Sequence, residues 1–229
     1  MTLSSAVEAL RRFYGRLAEP PRDPFAYFVW EVLSAETVPG KRDAAFAALK
    51  KIPALTPDAM WRVPPARLDA AVGLAGPYRE QRLQALRAGV DRFRRSPRLT
   101  SVVGGPIRTA RRALRAFPHL GEAGARRMLL FTGNHGVVPV DARVGRVAER
   151  LSGEARLADS KRRDRLVQQA IRRELNGDVE SVRRTFLYLA HHGSVTCTER
   201  DPHCGVCPLV AQCSYGQQEI SDRRLQISE

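Results

Sequence analysis

FPHLGEAGARRMLLFTGNHGVVPVDARVGRV, residues 117–147, is the stretch whose reading decides the fold. The turn Pro118-His119-Leu120-Gly121 separates one helix from a second. That second helix starts near Glu122, carries the apolar run Met128 to Phe131 and stops at Gly133-Asn134, residue types favoured where a helix ends left-handed. After a loop, Val140-Asp141 opens a further amphipathic segment with Val144 and Val147 on one face. Outward amides at a helix start bind phosphate, so the hairpin is a candidate phosphate-binding device. Asp141, at the start of the following helix, is a candidate catalytic group. An ordinary helical corner carries the same punctuation, and Asp141 would serve equally as a helix N-cap.

The rest of the chain frames that stretch. Thirty-eight Lys and Arg stand against 24 Asp and Glu, a formal net charge of +14 over 229 residues. The excess points to a polyanionic partner, most simply nucleic acid. Because the only lysines are at 41, 50, 51 and 161, a coding bias toward Arg would explain part of it. The length suits one large or two small domains with a real core. No apolar run approaches a membrane span, and the N-terminus reads as an amphipathic helix rather than a signal peptide. The expectation is a soluble, cytoplasmic chain with no membrane partner.

Periodicity predicts helices throughout and no alternating strand, hence an all-α protein. They run from Ser4 to Leu17, Pro24 to about Thr37, Lys41 to Lys51, Pro57 to Trp61, Pro64 to Val72, Tyr78 to Phe93, Pro106 to Ala116 and Glu180 to His191, with another from Asp141 to Leu151. Arg92 to Arg98 reads as a solvated linker, and Arg156 to Arg173 as a charged stretch. The second helix, PFAYFVWEVLSAET, is apolar on most faces yet carries Glu31. A carboxylate there is costly unless it is paired, protonated or on a narrow solvent stripe.

Cys197, Cys204, Cys207 and Cys213 fall within 17 positions, spaced C-x6-C-x2-C-x5-C. With no secretion signal, disulfides are not expected. Four thiolates this close can ligate one metal centre. A four-cysteine zinc site usually comes as two C-x2-C pairs across a longer loop, and only Cys204 and Cys207 fit that form. The spacing therefore favours a [4Fe–4S] cluster over zinc.

With the cysteines, the hairpin and Asp141 in hand, the chain resembles the endonuclease III group of helix-hairpin-helix DNA glycosylases over almost its full length. Leu33-Ser34-Ala35-Glu36-Thr37 matches that family's L-S-A-Q-T, and Gly73-Leu74 the turn before its next helix. Phe117-Pro118-His119-Leu120-Gly121 matches its L-P-G-V-G, Val140-Asp141 its V-D, and His192-Gly193 its approach to the first cysteine. The resemblance implies a six-helix barrel domain over 25–135, with the helix-hairpin-helix at about 110–133, and a cluster domain made of 1–24 and 136–229. It further implies a monomer acting in the prokaryotic nucleoid on double-stranded DNA. A damaged or mismatched base would flip out into a pocket in the cleft between the domains.

Departures from the family pattern sharpen the expectation. Bifunctional members carry a lysine two residues past the hairpin's last glycine, and here that position is Ala123. A methyl group cannot form a Schiff base, so the resemblance implies a monofunctional glycosylase without lyase activity. Asp141 is kept, to stabilise the oxocarbenium-like sugar or align water. Glu31 falls where monofunctional members carry a glutamate that protonates the leaving base or positions water; two carboxylates and a water make coherent hydrolytic chemistry. Glu36 replaces a Gln that inserts into the gap left by the flipped base, and His119 replaces a hairpin glycine. The implied DNA contacts are Glu36, His119, Leu120, Gly121, Gly124, Arg143, Arg146, Arg200 and His203. Ala123, Glu36 and His119 also suit an alternative, a DNA-binding protein that recognises damaged or distorted DNA without cutting it. Glu229 follows Cys213 closely, without the further domain that reads 8-oxoguanine in the adenine-specific branch, so that substrate is not expected.

Overall fold

A computed structural model describes residues 2–52, 54–115, 117, 120–152 and 160–227, with side chains through residue 222. Among these residues all regular structure is helical, as the periodicity requires. The helices are α1 (Leu3–Tyr14), α2 (Pro24–Ser34), α3 (Pro39–Lys51), α4 (Pro57–Arg62), α5 (Pro65–Gly73), α6 (Arg79–Arg95), α7 (Leu99–Gly104) and α8 (Ile107–Arg115), then α9 (Gly121–Thr132), α10 (Ala142–Ser152), α11 (Ser160–Leu175), α12 (Val179–Val195) and α13 (Ser214–Ile227). No described helix is long and apolar enough to cross a membrane. The chain divides into two compact units, Pro20–Val137 and Met1–Glu19 with Val138–Glu229.

The Pro20–Val137 unit is organised around α2. Asp23 caps it by accepting from the Ala26 amide at 2.8 Å, and Pro24 sits at its first turn, where no N–H is needed. Every residue of α2 except Glu31 and Ser34 is buried, and each large apolar side chain so buried contributes about 1.5–3 kcal/mol. Phe28 packs so closely on α6 that a Cβ at Gly89 would lie 2.0 Å from its ring, which is why that helix carries a glycine mid-length. Phe25, Phe28, Phe93 and Phe117 meet ring against ring at centroid separations from 5.1 to 6.0 Å. The helix ends at Ser34, earlier than Thr37, because Ala35 turns extended and Glu36 is left-handed at φ 47°.

In the second unit, Thr2 caps α1 by accepting from the Ser5 amide. Glu174 of α11 accepts from the Leu3 and Ser4 amides at 2.8 Å each. The helix stops at Gly15, φ 68°, rather than at Leu17, so glycine ends it ahead of the prolines. Asp178 caps α12 through the Ser181 amide, and α12 is buried along most of its length.

Two sequence expectations give way. Arg92 to Arg98 is not a linker, since α6 runs on to Arg95 with Phe93 buried inside it, and α7 follows from Leu99. The charged stretch before Arg173 contains α11, whose only buried residue is Ile171, so it carries almost no apolar periodicity to read.

Candidate functional site

The hairpin delivers α9 against α2. Gly121 opens α9 at φ 60°, a conformation a side chain would strain, and it is exposed. Leu120 is buried at 5% exposure, so its side chain belongs to the core, and Ala123 is half-buried one residue after Glu122. Pro118 and His119 lie outside the described residues. At its far end α9 stops with Gly133, which lets the Val103 carbonyl approach, while Asn134 rather than Gly133 takes the left-handed turn at φ 54°.

Glu31 is neither on a solvent stripe nor alone. Its side chain is 13% exposed and Arg127 of α9 is 15% exposed. Arg127 Nε donates to both carboxylate oxygens at 3.1 Å, and Nη2 donates to Oε1 as well. Gly124 makes room, because a Cβ there would sit 3.2 Å from Glu31 Oε1. Sequence reading missed Arg127. The signal was an arginine among the buried residues of α9, matching an acid in an apolar α2 far away in sequence.

Glu36 is exposed in the left-handed turn after α2. That turn is stapled to the loop before α6. Thr37 Oγ1 donates to the Ala75 carbonyl at 2.6 Å. Arg82, 3% exposed, donates to the carbonyls of Ala35, Gly76 and Pro77. Burial pulls the Arg82 pKa below its ordinary value. Both loops present large apolar side chains to solvent: Val38, Leu74 and Tyr78 are each at least half exposed, Tyr78 in the left-handed region at φ 65°.

Asp141 is a helix cap. Its Oδ1 accepts from the amides of Arg143 and Val144 at 3.0 Å, while Oδ2 accepts from Arg143 Nη2 at 2.8 Å and Nε at 3.3 Å. At 12% side-chain exposure it is held in one orientation. Three arginines one turn apart on α10 then face the end of α12 and the first cysteine. Arg143 reaches Ser194 Oγ at 3.4 Å, and Arg146 donates to the carbonyls of Gly193 and Cys197. Arg150 donates to Cys197 Sγ at 3.2 Å and to the Thr198 and Glu199 carbonyls. Burial lowers the pKa of Arg146. Arg143 and Arg146 are thus engaged by protein groups, whereas Arg200 and His203 are exposed in the loop between the first two cysteines.

All four cysteines line one pocket, together with His192, Thr196, Arg150 and Tyr215. Burial, and then the neighbouring cysteines, push the Cys207 thiol up to about 11, and burial raises Cys204 and Cys213 in the same direction. Thiols that oppose one another's ionisation suit a cationic centre, which removes that opposition. The Gly216 amide donates to Cys213 Sγ at 3.4 Å, as a ligating sulfur accepts. Among the described residues no three His, Cys, Asp or Glu side chains converge on a single metal ion; the four cysteines instead surround one pocket, the arrangement that suits a multi-iron cluster with one cysteine to each iron.

No protein-family model and no curated protein matches the sequence. Solved structures do. An endonuclease III trapped as a covalent intermediate with DNA superposes with a TM-score of 0.68 at 20% identity, over 96% of this chain and 99% of that one. A thermostable thymine-DNA glycosylase gives 0.68 at 19% identity, over 94% and 97%. A 3-methyladenine DNA glycosylase from H. pylori, bound to 1,N6-ethenoadenine, gives 0.61 at 15% identity, over 85% and 95%. The chain therefore has the fold of the helix-hairpin-helix DNA glycosylases.

Proposed function

We propose that this chain is a monofunctional DNA N-glycosylase of base-excision repair. The observation that carries the proposal is Asp141, a carboxylate fixed by two amides and a guanidinium at a helix start, in a fold shared with DNA glycosylases. In this reading the C1′–N bond of a flipped nucleotide breaks, and its electron pair leaves with the base. Asp141 stabilises the positive charge left on the sugar. Water adds at C1′ and loses its proton, giving an abasic site in an unbroken strand. Glu31 aligns that water and takes the proton. Its ion pair with Arg127 favours this role over delivering a proton to the base. Ala123 offers no nucleophile, so no Schiff base forms and the strand is not cut.

The Pro20–Val137 unit is read as the barrel with the hairpin, and the other as the cluster domain. Cys197, Cys204, Cys207 and Cys213 would hold a [4Fe–4S] cluster, which supplies a cross-link among four chain positions and a one-electron centre. The exposed amide region at Gly121 and the exposed Arg200 and His203 are read as phosphate contacts, with the buried Gly124 behind them, and the exposed Glu36 is read as facing the gap left by the flipped base.

A second reading draws on the ion pairs themselves. Both candidate carboxylates are neutralised by arginine, Glu31 by Arg127 and Asp141 by Arg143, which suits a protein that binds damaged or distorted DNA without cutting it. One experiment separates the two. Anaerobically purified protein is incubated with labelled duplexes carrying uracil, hypoxanthine, thymine opposite guanine, adenine opposite 8-oxoguanine, 3-methyladenine, thymine glycol or a plain abasic site, and products are run with and without hot alkali. Breaks that appear only after alkali establish a monofunctional glycosylase and identify its base. Breaks without alkali refute the role given to Ala123. Tight binding with no base released from any duplex establishes the second reading.

A further inference from the structure

A line of polar groups, buried at His192 and Thr196 and half-buried at Tyr14 and Cys207, runs from the first helix to one of the cysteines, and the proposed base chemistry makes no use of it. Tyr14, the last residue of α1, places its hydroxyl 2.6 Å from Thr196 Oγ1 and 2.7 Å from His192 Nδ1. His192 Nε2 lies 3.7 Å from Cys207 Sγ. Thr196 is 6% exposed and His192 2%, so water does not compete for these groups.

Three proton-bearing groups in a row can be polarised in two directions. In one, imidazole Nδ1–H donates to Tyr14 and Nε2 faces Cys207 with a lone pair. In the other, Nε2–H faces the sulfur, Nδ1 accepts from the Tyr14 hydroxyl, and that oxygen accepts from Thr196. A thiolate bound to metal has no proton to offer, so the first direction sets lone pair against lone pair in a dry interior. Only a protonated Nε2 satisfies every group.

We propose that Thr196, Tyr14 and His192 form a relay polarised toward Cys207, which delivers an N–H to a cluster-ligating sulfur and sets the reduction potential of the cluster. The proposal rests on the reading of the four cysteines as cluster ligands. Donors at ligand sulfurs draw charge away from the centre and stabilise its reduced state, so they raise its potential. Two other ligands are treated alike, Cys197 by Arg150 Nη1 at 3.2 Å and Cys213 by the Gly216 amide at 3.4 Å. The relay differs from these in its origin. It begins in a helix 178 residues earlier, so α1 is tied to the electron affinity of the cluster as well as to the packing of α12. One electron enters or leaves, and no bond forms or breaks.

The test is voltammetry of the full-length, anaerobically purified protein, with iron and acid-labile sulfide measured on each sample. Tyr14→Phe keeps the ring and removes the hydroxyl; His192→Leu removes the donor; His192→Gln restores an amide N–H. The expected result is a more negative potential in Tyr14→Phe, a larger negative shift in His192→Leu, and a return toward wild type in His192→Gln. Equal potentials in wild type, Tyr14→Phe and His192→Leu at equal cluster content overturn the relay and leave the cluster reading intact. A wild-type protein without iron and sulfide overturns both. Should His192→Leu fail to assemble a cluster, Tyr14→Phe against wild type decides, because its aromatic packing is unchanged.

Discussion

Arg127 on α9 grips Glu31 on α2 by both carboxylate oxygens, 96 residues apart in sequence, with each side chain about 85% buried. The two helices pack on each other, so the pair closes an interface that is otherwise apolar. Desolvation opposes such a pair almost as strongly as attraction favours it, and its loss is therefore asymmetric. Arg127→Met leaves a buried carboxylate without a counter-ion and should cost about 3 kcal/mol in urea unfolding. The double variant Glu31→Leu with Arg127→Met should lie within about 1 kcal/mol of wild type. If Glu31 acts on water, the double variant remains folded but no longer releases base. A stable double variant with full activity would remove Glu31 from the chemistry.

Asp141 supports α10 and, in the proposed reading, the reaction. Asn caps a helix about as well as Asp, and the Arg143 pair it forfeits is one-third exposed on the arginine side. Asp141→Asn should therefore cost no more than about 1 kcal/mol of stability and leave duplex binding intact. Single-turnover base release should fall about 100-fold or more, since the sugar cation loses its counter-charge. Undiminished release in a folded variant would reduce Asp141 to a cap.

What the sequence revealed follows the range of the interactions involved. The all-α class, the start of α2 at Pro24 and the Asp141 cap depend on neighbours within four residues, and they could be read directly. Helix ends set by a backbone turn were misjudged by a few residues, at Gly15 and at Ala35-Glu36, since several residues nearby are equally able to break a helix. The helix α11 escaped because it packs through Ile171 and through Arg163, whose guanidinium fills the space a side chain at Gly145 would need. Arg127, Arg82 and the Tyr14–His192 contact were illegible for a different reason: each polar group meets its partner only after the chain has folded, at separations of 96, 47 and 178 residues.

Glu122 gathers Arg111 at 2.8 Å, Arg126 at 3.1 Å and Arg115 at 3.2 Å, joining α8 to the start of α9 beside the hairpin. Burial pushes its pKa up, but hydrogen bonds from Arg126, Arg111 and Arg115 outweigh that and hold it below the ordinary value. A carboxylate with a lowered folded-state pKa stabilises the fold above its unfolded pKa, about 4.3, and loses that contribution as pH falls through the folded value. The group is nearly half exposed, so the effect stays below about 1 kcal/mol. Glu122→Gln should be slightly less stable than wild type at pH 7, with the gap closing toward pH 3. A gap independent of pH would mean the arginines do not act through the charge of Glu122.

Ala123 is half-buried one turn before Arg127 on α9 and stands where bifunctional enzymes of this fold class carry a nucleophilic amine by resemblance. Ala123→Lys tests that correspondence directly. An amine at this site would attack C1′, expel the base and form an imine that borohydride reduces to a stable protein–DNA adduct. The expected outcome is an adduct with Ala123→Lys on the substrate found for wild type, and none with wild type itself. Strand breaks without alkali should appear in parallel. An adduct formed by wild type would reveal another nucleophile. A folded Ala123→Lys protein that hydrolyses the base yet forms no adduct would show that α9 does not present this position to the sugar, and with it the alignment of the hairpin on the family pattern would fail.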